Sequence, residues 1–78
     1  MERMVRFESS RRYYVARLSQ DLLGDWVLSI VWGGLFNRLG GGTQEIVESY
    51  GAGLMLLAQI ERKRSTRHYR LTEDKTLG

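Results

Sequence analysis

The chain has 78 residues, with 12 lysines and arginines against nine aspartates and glutamates, which gives a net charge of +3. This length allows one small domain, and the absence of cysteine excludes disulfides and thiolate metal sites. No apolar run approaches the ~20 residues of a membrane helix, and Met1–Arg6 lacks the apolar segment of a signal peptide. We therefore expect a cytoplasmic protein without a membrane partner. The modest basic excess indicates an anionic partner or simply a solvated surface.

The first half of the chain alternates between apolar and polar residues in the manner of β-strands. Val5–Glu8 predicts a short edge strand, and Tyr13–Leu18 predicts a second strand whose alternate positions share a face. Asp21–Asp25 is a connection in which Gly24 can adopt a positive φ, and Trp26–Trp32 alternates again. The second and third strands are therefore expected to form an antiparallel hairpin closed by about five residues.

Glycines interrupt the pattern after this hairpin. The pair Gly33-Gly34 predicts the end of the strand or a bulge, and Leu35-Phe36 predicts a restart. The segment Asn37–Thr43 predicts a flexible turn because it contains three glycines in a row. Gln44–Val47 then predicts another strand.

The second half of the chain predicts one helix. Ser49 has the chemistry of an N-cap for a helix from about Tyr50 to Ser65. One stripe of this helix contains, at helical spacing, Gly53, Leu56, Leu57, Ile60 and Arg64. A glycine on the buried stripe makes sense if the helix lies close to the sheet there. On the same stripe, the stem of Arg64 is expected to pack against the sheet.

The last residues complete the predicted fold. Arg67–Leu71 predicts a short final strand, and Thr72–Gly78 predicts a loose tail because it has little to bury. The sequence thus predicts an α+β fold, with a small antiparallel sheet of three to five strands and one α-helix packed on one face. The domain is expected to cover residues 1–71, with a tail over residues 72–78.

Short motifs follow one another in a recognisable order between Arg12 and Tyr69. They are Arg12-Tyr13-Tyr14, Asp21-Leu22-Leu23-Gly24-Asp25-Trp26, Trp32-Gly33, Gly40-Gly41-Gly42, Gly53, and Lys63-Arg64 through Arg67 and Tyr69. Their order and spacing resemble those of a WGR domain of the stand-alone bacterial type. The chain departs from that pattern at Gly34, where the family has arginine, and at His68, where the family has glycine.

The resemblance implies a DNA-binding module. In the poly(ADP-ribose) polymerases the domain contacts DNA near strand breaks, with the tryptophan and arginine of its motif at the nucleic acid. The tryptophan corresponds to Trp32, whereas Gly34 cannot take the role of the arginine. As a hypothesis, Arg38 partly replaces it, because neighbouring glycines let the backbone of this loop approach an anion.

Each candidate residue also has a structural alternative. Trp32 stacks on a base or sugar in the functional interpretation, and packs with the apolar face of its strand in the alternative. Arg38 binds phosphate, or is a solvated residue at a hairpin tip. A basic cluster near the helix end tracks a phosphate backbone, or only complements the helix dipole. The predicted nucleic-acid-binding residues are Trp32, Arg38, Arg62, Lys63, Arg67, Arg70 and Arg12.

Other functions have weaker support in the sequence. No nucleophile constellation, cofactor motif or set of metal ligands accompanies the single histidine, His68, so we expect neither an enzyme nor a cofactor. The main hypothesis is a non-catalytic module that binds DNA, with RNA left open. The alternative is a protein–protein interaction module anchored by Leu35 and Phe36. Strand edges would also allow two copies to pair as a homodimer.

Overall fold

The computed structural model describes residues 2–77 and contains one antiparallel sheet with a helix on one face. The elements are β1 (Glu2–Glu8), β2 (Arg12–Gln20), β3 (Trp26–Gly34), β4 (Gly40–Val47), α1 (Tyr50–Ser65) and β5 (Arg70–Leu77). The strand order is β4-β3-β2-β1-β5, and every neighbouring pair is antiparallel. The predicted α+β fold is therefore confirmed, with five strands and a helix between the last two.

The core lies between α1 and the face of the sheet that packs against this helix. Alternate positions of β2 and β3 share this face because Ala16 pairs with Ile30 and Leu18 pairs with Leu28. Both Leu18 and Leu28 are fully buried, so the alternate positions that were predicted to share a face point toward the core. The buried apolar residues are Val5, Phe7, Ala16, Leu18, Leu28, Val47 and Leu57.

The β2–β3 turn has the length and the glycine conformation that the sequence predicts. Gly24 has a φ of 88°, a conformation that glycine adopts without steric cost. The Asp21 carboxylate accepts hydrogen bonds from the backbone N–H groups of Leu23 and Asp25, both at 2.9 Å. The aspartates around this turn are thereby explained by turn chemistry.

The helix begins and ends where the sequence places it. Ser49 is the N-cap, and its hydroxyl accepts a hydrogen bond from the N–H of Ala52 at 3.1 Å. Gly53 is buried against β2, and a Cβ atom at this position would lie 2.5 Å from Cδ1 of Leu18. A side chain at position 53 would therefore hold the helix away from the sheet, as the glycine on the stripe indicates.

Two predictions at the ends of the chain are wrong. The first strand is longer than predicted and is not an edge, since β1 lies between β2 and β5. Residues Thr72–Leu77 belong to β5 rather than to a loose tail, and Gly78 lies outside the described residues. An edge strand needs few apolar side chains because backbone hydrogen bonds hold it. A further contact comes from Arg3, whose guanidinium donates to Asp74 at 3.0 Å.

The glycine-rich stretch is also more regular than predicted. Strand β3 ends at Gly34, as one of the two predictions for this glycine pair has it, and contains no bulge. Residues 35–36 form bends instead of the predicted strand. Strand β4 already starts at Gly40, so the connection between β3 and β4 consists of residues 35–39 instead of the predicted turn Asn37–Thr43. Close approach explains these glycines, because a Cβ at Gly33 would lie 2.9 Å from the Tyr13 hydroxyl and one at Gly40 would meet the backbone of β3.

Two glycines of α1 allow a matched test of the helix–sheet approach. We expect Gly53→Ala to lower the free energy of unfolding by about 1–2 kcal/mol, because overpacking outweighs the helix propensity that alanine gains. Gly51 is exposed and has no close neighbour, so Gly51→Ala should raise stability by up to about 1 kcal/mol. Urea unfolding followed by circular dichroism measures both changes. Equal effects of the same sign would contradict the close approach at Gly53.

Candidate nucleic-acid interface

A cleft of about 680 Å³ opens at the end of the sheet where α1 ends. Its lining contains three arginines and four aromatic residues, but no acidic residue among the described residues. The lining residues are Arg11, Arg12, Tyr13, Tyr14, Trp32, Gly33, Gly34, Asn37, Leu39, Gly40, Arg64 and Tyr69. Such a composition suits a ligand that has both negative charge and flat apolar surface.

Aromatic residues on neighbouring strands form one wall of this cleft. Tyr14 pairs with Trp32 across β2 and β3, and Phe7 pairs with Tyr14 across β1 and β2. Trp32 in turn pairs with Gly41 of β4, and a Cβ at Gly41 would lie 3.0 Å from Cζ2 of the indole. The indole thus lies along the glycine backbone, and 39% of the Trp32 residue surface stays exposed. Trp32 therefore packs on the sheet and still offers surface to a ligand.

Arg64 reaches the cleft from the last turn of α1. Its guanidinium carbon lies 4.4 Å from the ring centroid of Tyr14 and 5.3 Å from that of Tyr69. Both distances fall within the range of cation–π attraction. The Nε atom of Arg64 is buried and has no hydrogen-bond partner in the described part of the chain. Within residues 2–77 no carboxylate forms an ion pair with Arg64, so the cleft contains a fixed positive charge that is not neutralised there.

Burial and the Arg64 charge act in opposite directions on Tyr14. Burial raises the pKa of the Tyr14 hydroxyl above its ordinary value, while the neighbouring Arg64 lowers it and Tyr69 raises it further. The net direction is upward, so that Tyr14 stays protonated at neutral pH. The hydroxyl can then donate a hydrogen bond to a ligand.

The turn after α1 brings Tyr69 back to Arg64. The N–H of Tyr69 donates to the carbonyl oxygen of Arg64 at 3.1 Å, and His68 between them has a φ of 65°. This bond and the left-handed residue are typical of a Schellman-type helix end, where glycine is the usual residue. The backbone at His68 thus adopts a conformation that glycine takes more readily than histidine.

Arg12 enters the cleft from the start of β2. The Ser9 hydroxyl accepts a hydrogen bond from the Arg12 N–H at 3.1 Å, which closes the β1–β2 turn. Arg12 pairs with Gly34, so that no side chain stands opposite it on β3. The Asn37 side chain packs instead against the Gly34 backbone, and its Oδ1 accepts from the N–H of Leu39 at 2.9 Å. Any side chain at position 34 would displace Asn37 from this contact.

The structure brings together two of the seven predicted nucleic-acid-binding residues, Trp32 and Arg12, in the cleft. The other five are exposed and do not belong to its lining: Arg38, Arg62, Lys63, Arg67 and Arg70. Among these, Arg38 lies in the β3–β4 connection, and Arg70 pairs with Glu8 on the sheet face opposite α1. The predicted basic cluster therefore does not form the cleft, and its members lie on both sides of the sheet.

Five arginines and aromatic residues of the lining were not among the predicted site residues: Arg11, Tyr13, Tyr14, Arg64 and Tyr69. Arg64 was assigned to the buried stripe, and its stem does pack there, but the position of its charged end depends on two tyrosines far away in sequence. The sequence feature that could have identified Tyr14 as a site residue was its predicted position opposite Trp32 in the hairpin. It follows from the predicted hairpin and puts two aromatic residues on one face.

Comparison with protein-family models, with curated proteins and with solved structures finds no match to this chain. Residues 2–77 contain no group of three or more histidine, cysteine or acidic side chains placed to hold a metal ion. No helix in the same range is long and apolar enough to cross a membrane.

The left-handed residue after α1 allows a test of the helix end. We expect His68→Gly to raise the free energy of unfolding by about 0.5–1 kcal/mol, because glycine adopts this conformation without steric cost. The control, His68→Ala, retains the strain and should give no gain. Thermal unfolding measures both, with a shift of about 4–8 °C per kcal/mol for a domain of this size. A loss of stability with glycine would show that the histidine side chain itself holds the turn.

Proposed function

We propose that this protein is a non-catalytic nucleic-acid-binding module that acts in the cytoplasm. DNA is the expected ligand and RNA is the open alternative. One observation carries the proposal: arginines and aromatic rings from β2, β3, α1 and the turn before β5 converge on a cleft whose described lining has no acidic residue. The resemblance of the ordered motifs to a WGR domain supports the same function.

Phosphate binding in this proposal comes from Arg12 and Arg64. An arginine fork can bind a phosphate through two parallel N–H groups, and its charge does not depend on pH in the physiological range. The rings of Tyr14 and Tyr69 hold Arg64 in place, so that little side-chain entropy is lost on binding. Arg12 is exposed and can adjust to the position of the phosphate.

Trp32 supplies the contact for a base or sugar. Its indole is supported by the Gly41 backbone on one side and is partly exposed in the cleft on the other. Stacking of a base on an aromatic side chain contributes roughly 1–3 kcal/mol and tolerates every base. Phosphate contacts likewise carry no sequence information, so we expect poor sequence specificity.

Arg12 is better placed than Arg38 to supply a positive charge near Gly34. The hypothesis from the sequence gave this role to Arg38, which lies in the β3–β4 connection outside the cleft lining. Arg12 lies opposite Gly34 in the ladder and lines the same cleft as Trp32. Arg12 belongs to the motifs that match the WGR pattern, so it supplies a charge opposite Gly34 without replacing the arginine that the family has at that position.

A protein–protein interaction module is the second candidate function. The observation in its favour is the connection between β3 and β4, where Phe36 is 83% exposed and Leu39 is also exposed. Leu35 is only partly exposed, so the predicted anchor would consist mainly of Phe36. Exposed apolar side chains of this size often mark contact sites between proteins.

Two arginines on the last turns of α1 allow a matched test of nucleic-acid binding. Arg64→Gln should weaken binding by about 1–3 kcal/mol, because it removes a charged phosphate contact from the cleft. Arg62→Gln removes the same charge from an exposed position outside the lining and should have a much smaller effect. Fluorescence anisotropy with labelled duplex DNA, nicked duplex carrying a 5′-phosphate, and single-stranded RNA measures the affinities.

Salt dependence adds a second readout and a second pair of variants. Loss of one phosphate contact should reduce the log–log salt slope on duplex DNA by about 0.9. Arg12→Gln should show this reduction, whereas Arg17→Gln should not, because Arg17 donates to Glu2 outside the cleft. If all four variants lost affinity equally, binding would be diffuse and the cleft would not be the site. Absence of binding to every probe at tens of micromolar and low salt would favour the protein-interaction candidate.

A further inference from the structure

The two edge strands of the sheet differ in their protection against pairing. Strand β5 has charged side chains at half of its positions, namely Arg70, Glu73, Asp74 and Lys75. Charges of this kind are a common device against edge-to-edge association. Strand β4 has Glu45 as its one charged residue, contains no proline, and pairs with β3 in unbroken register over its full length. The β4 edge is therefore open to another strand.

The outward backbone groups of β4 can be assigned from its ladder with β3. The N–H of Gly34 donates to the carbonyl oxygen of Leu39 at 3.0 Å, which fixes a hydrogen-bonded pair at the start of the ladder. Hydrogen-bonded and non-hydrogen-bonded pairs alternate along antiparallel strands. The N–H and C=O groups that point away from β3 are therefore those of Gly42, Gln44 and Ile46.

An apolar gap lies beside this edge on the sheet face opposite α1. Val31 pairs with Gly42 and is 47% exposed, since the glycine leaves its outer side uncovered. Ile46 lies further along β4 on the same face and is 68% exposed. At Gly42, strand β4 thus has no side chain that covers Val31. Further along the same strand, the side chain of Ile46 is exposed to solvent.

We propose that β4 pairs with β4 of a second copy, in antiparallel orientation about a two-fold axis at Gln44. In this register Ile46 of each copy lies opposite Gly42 of the other and covers its Val31. Glu45 lies opposite Thr43 instead of opposite the second Glu45, so that like charges are not paired. In this register Gln44 pairs with the second Gln44, and Ile46 pairs with Gly42 of the other copy. These are the residues whose backbone N–H and C=O groups point outward, so the hydrogen bonds between the two strands can all form.

The dimer would join two five-stranded sheets into one continuous sheet. A two-fold axis perpendicular to the sheet places both α1 helices on the same face of the joined sheet, with the two clefts at opposite ends of the strands. This arrangement suits a long polyanion that reaches both copies, a consequence that rests on the proposed function. The pairing itself does not depend on that function.

Sedimentation equilibrium of the full chain tests the pairing. The unmodified chain should show a monomer–dimer equilibrium, and Ile46→Lys should raise its dissociation constant by roughly tenfold or more, since charge at an edge opposes pairing. Ile46 is exposed within one copy, so that circular dichroism should show an unchanged fold. The control Leu22→Lys places the same charge on an exposed turn away from β4 and should leave the dimer intact. A monomer at all concentrations, or equal effects of both lysines, would overturn the proposal.

Cysteine cross-linking tests the register, because the chain has no native cysteine. Gln44→Cys brings two thiols together at the axis, where Cα atoms of a hydrogen-bonded pair lie about 5.5 Å apart, within disulfide range. Mild oxidation should give a covalent dimer. Ile46→Cys faces Gly42 of the other copy and should cross-link at least about tenfold more slowly, since no second thiol lies within disulfide range. Faster cross-linking at position 46 than at position 44 would overturn the two-fold axis at Gln44.

Discussion

The close contact between Gly53 of α1 and Leu18 of β2 is the constraint on which the rest of the structure depends. Because position 53 lacks a side chain, the helix lies low on the sheet and buries Leu57 with the central strands. Three turns later the same stripe brings Arg64 over Tyr14. The packing that closes the core therefore also sets the position of the charge in the cleft.

The cleft forms where the apolar core gives way to aromatic and charged residues. Toward this end of the sheet the inward positions change from leucine and alanine to Tyr14 and Trp32. Aromatic rings can border a polar cleft because they combine apolar surface with polar edges or faces that attract cations. Arg64 is consequently stabilised without a carboxylate, and its charge stays available to an anion.

Much of the fold could be predicted because local signals agree with one another. Alternation defined the β2–β3 hairpin, Gly24 marked its turn, and Ser49 marked the start of the helix. The glycines of β4 could not be assigned, since their strand is specified by close approach to β3 and not by their own propensity. The same holds for β5, whose pairing with β1 joins the two ends of the described chain.

The candidate site was less predictable than the fold. Arginines near the helix end were chosen for their charge, but charge alone does not show which side chains converge. Arg64 was not chosen as a site residue because it belongs to the buried stripe of the helix. Burial of its stem, however, directs its guanidinium into the cleft. Convergence of this kind depends on cross-strand register and helix position together, and both are properties of the assembled fold.

The most direct test of the cleft as the nucleic-acid site is a titration of the ¹⁵N-labelled protein with a short oligonucleotide, followed by NMR. The Nε–H of Arg64 and the indole N–H of Trp32 report on the cleft, and the indole N–H of Trp26 is an internal reference, because its ring packs against Tyr50 away from the cleft. The account predicts saturable shifts of the first two signals and a constant third. Binding that left Arg64 and Trp32 unchanged would contradict it.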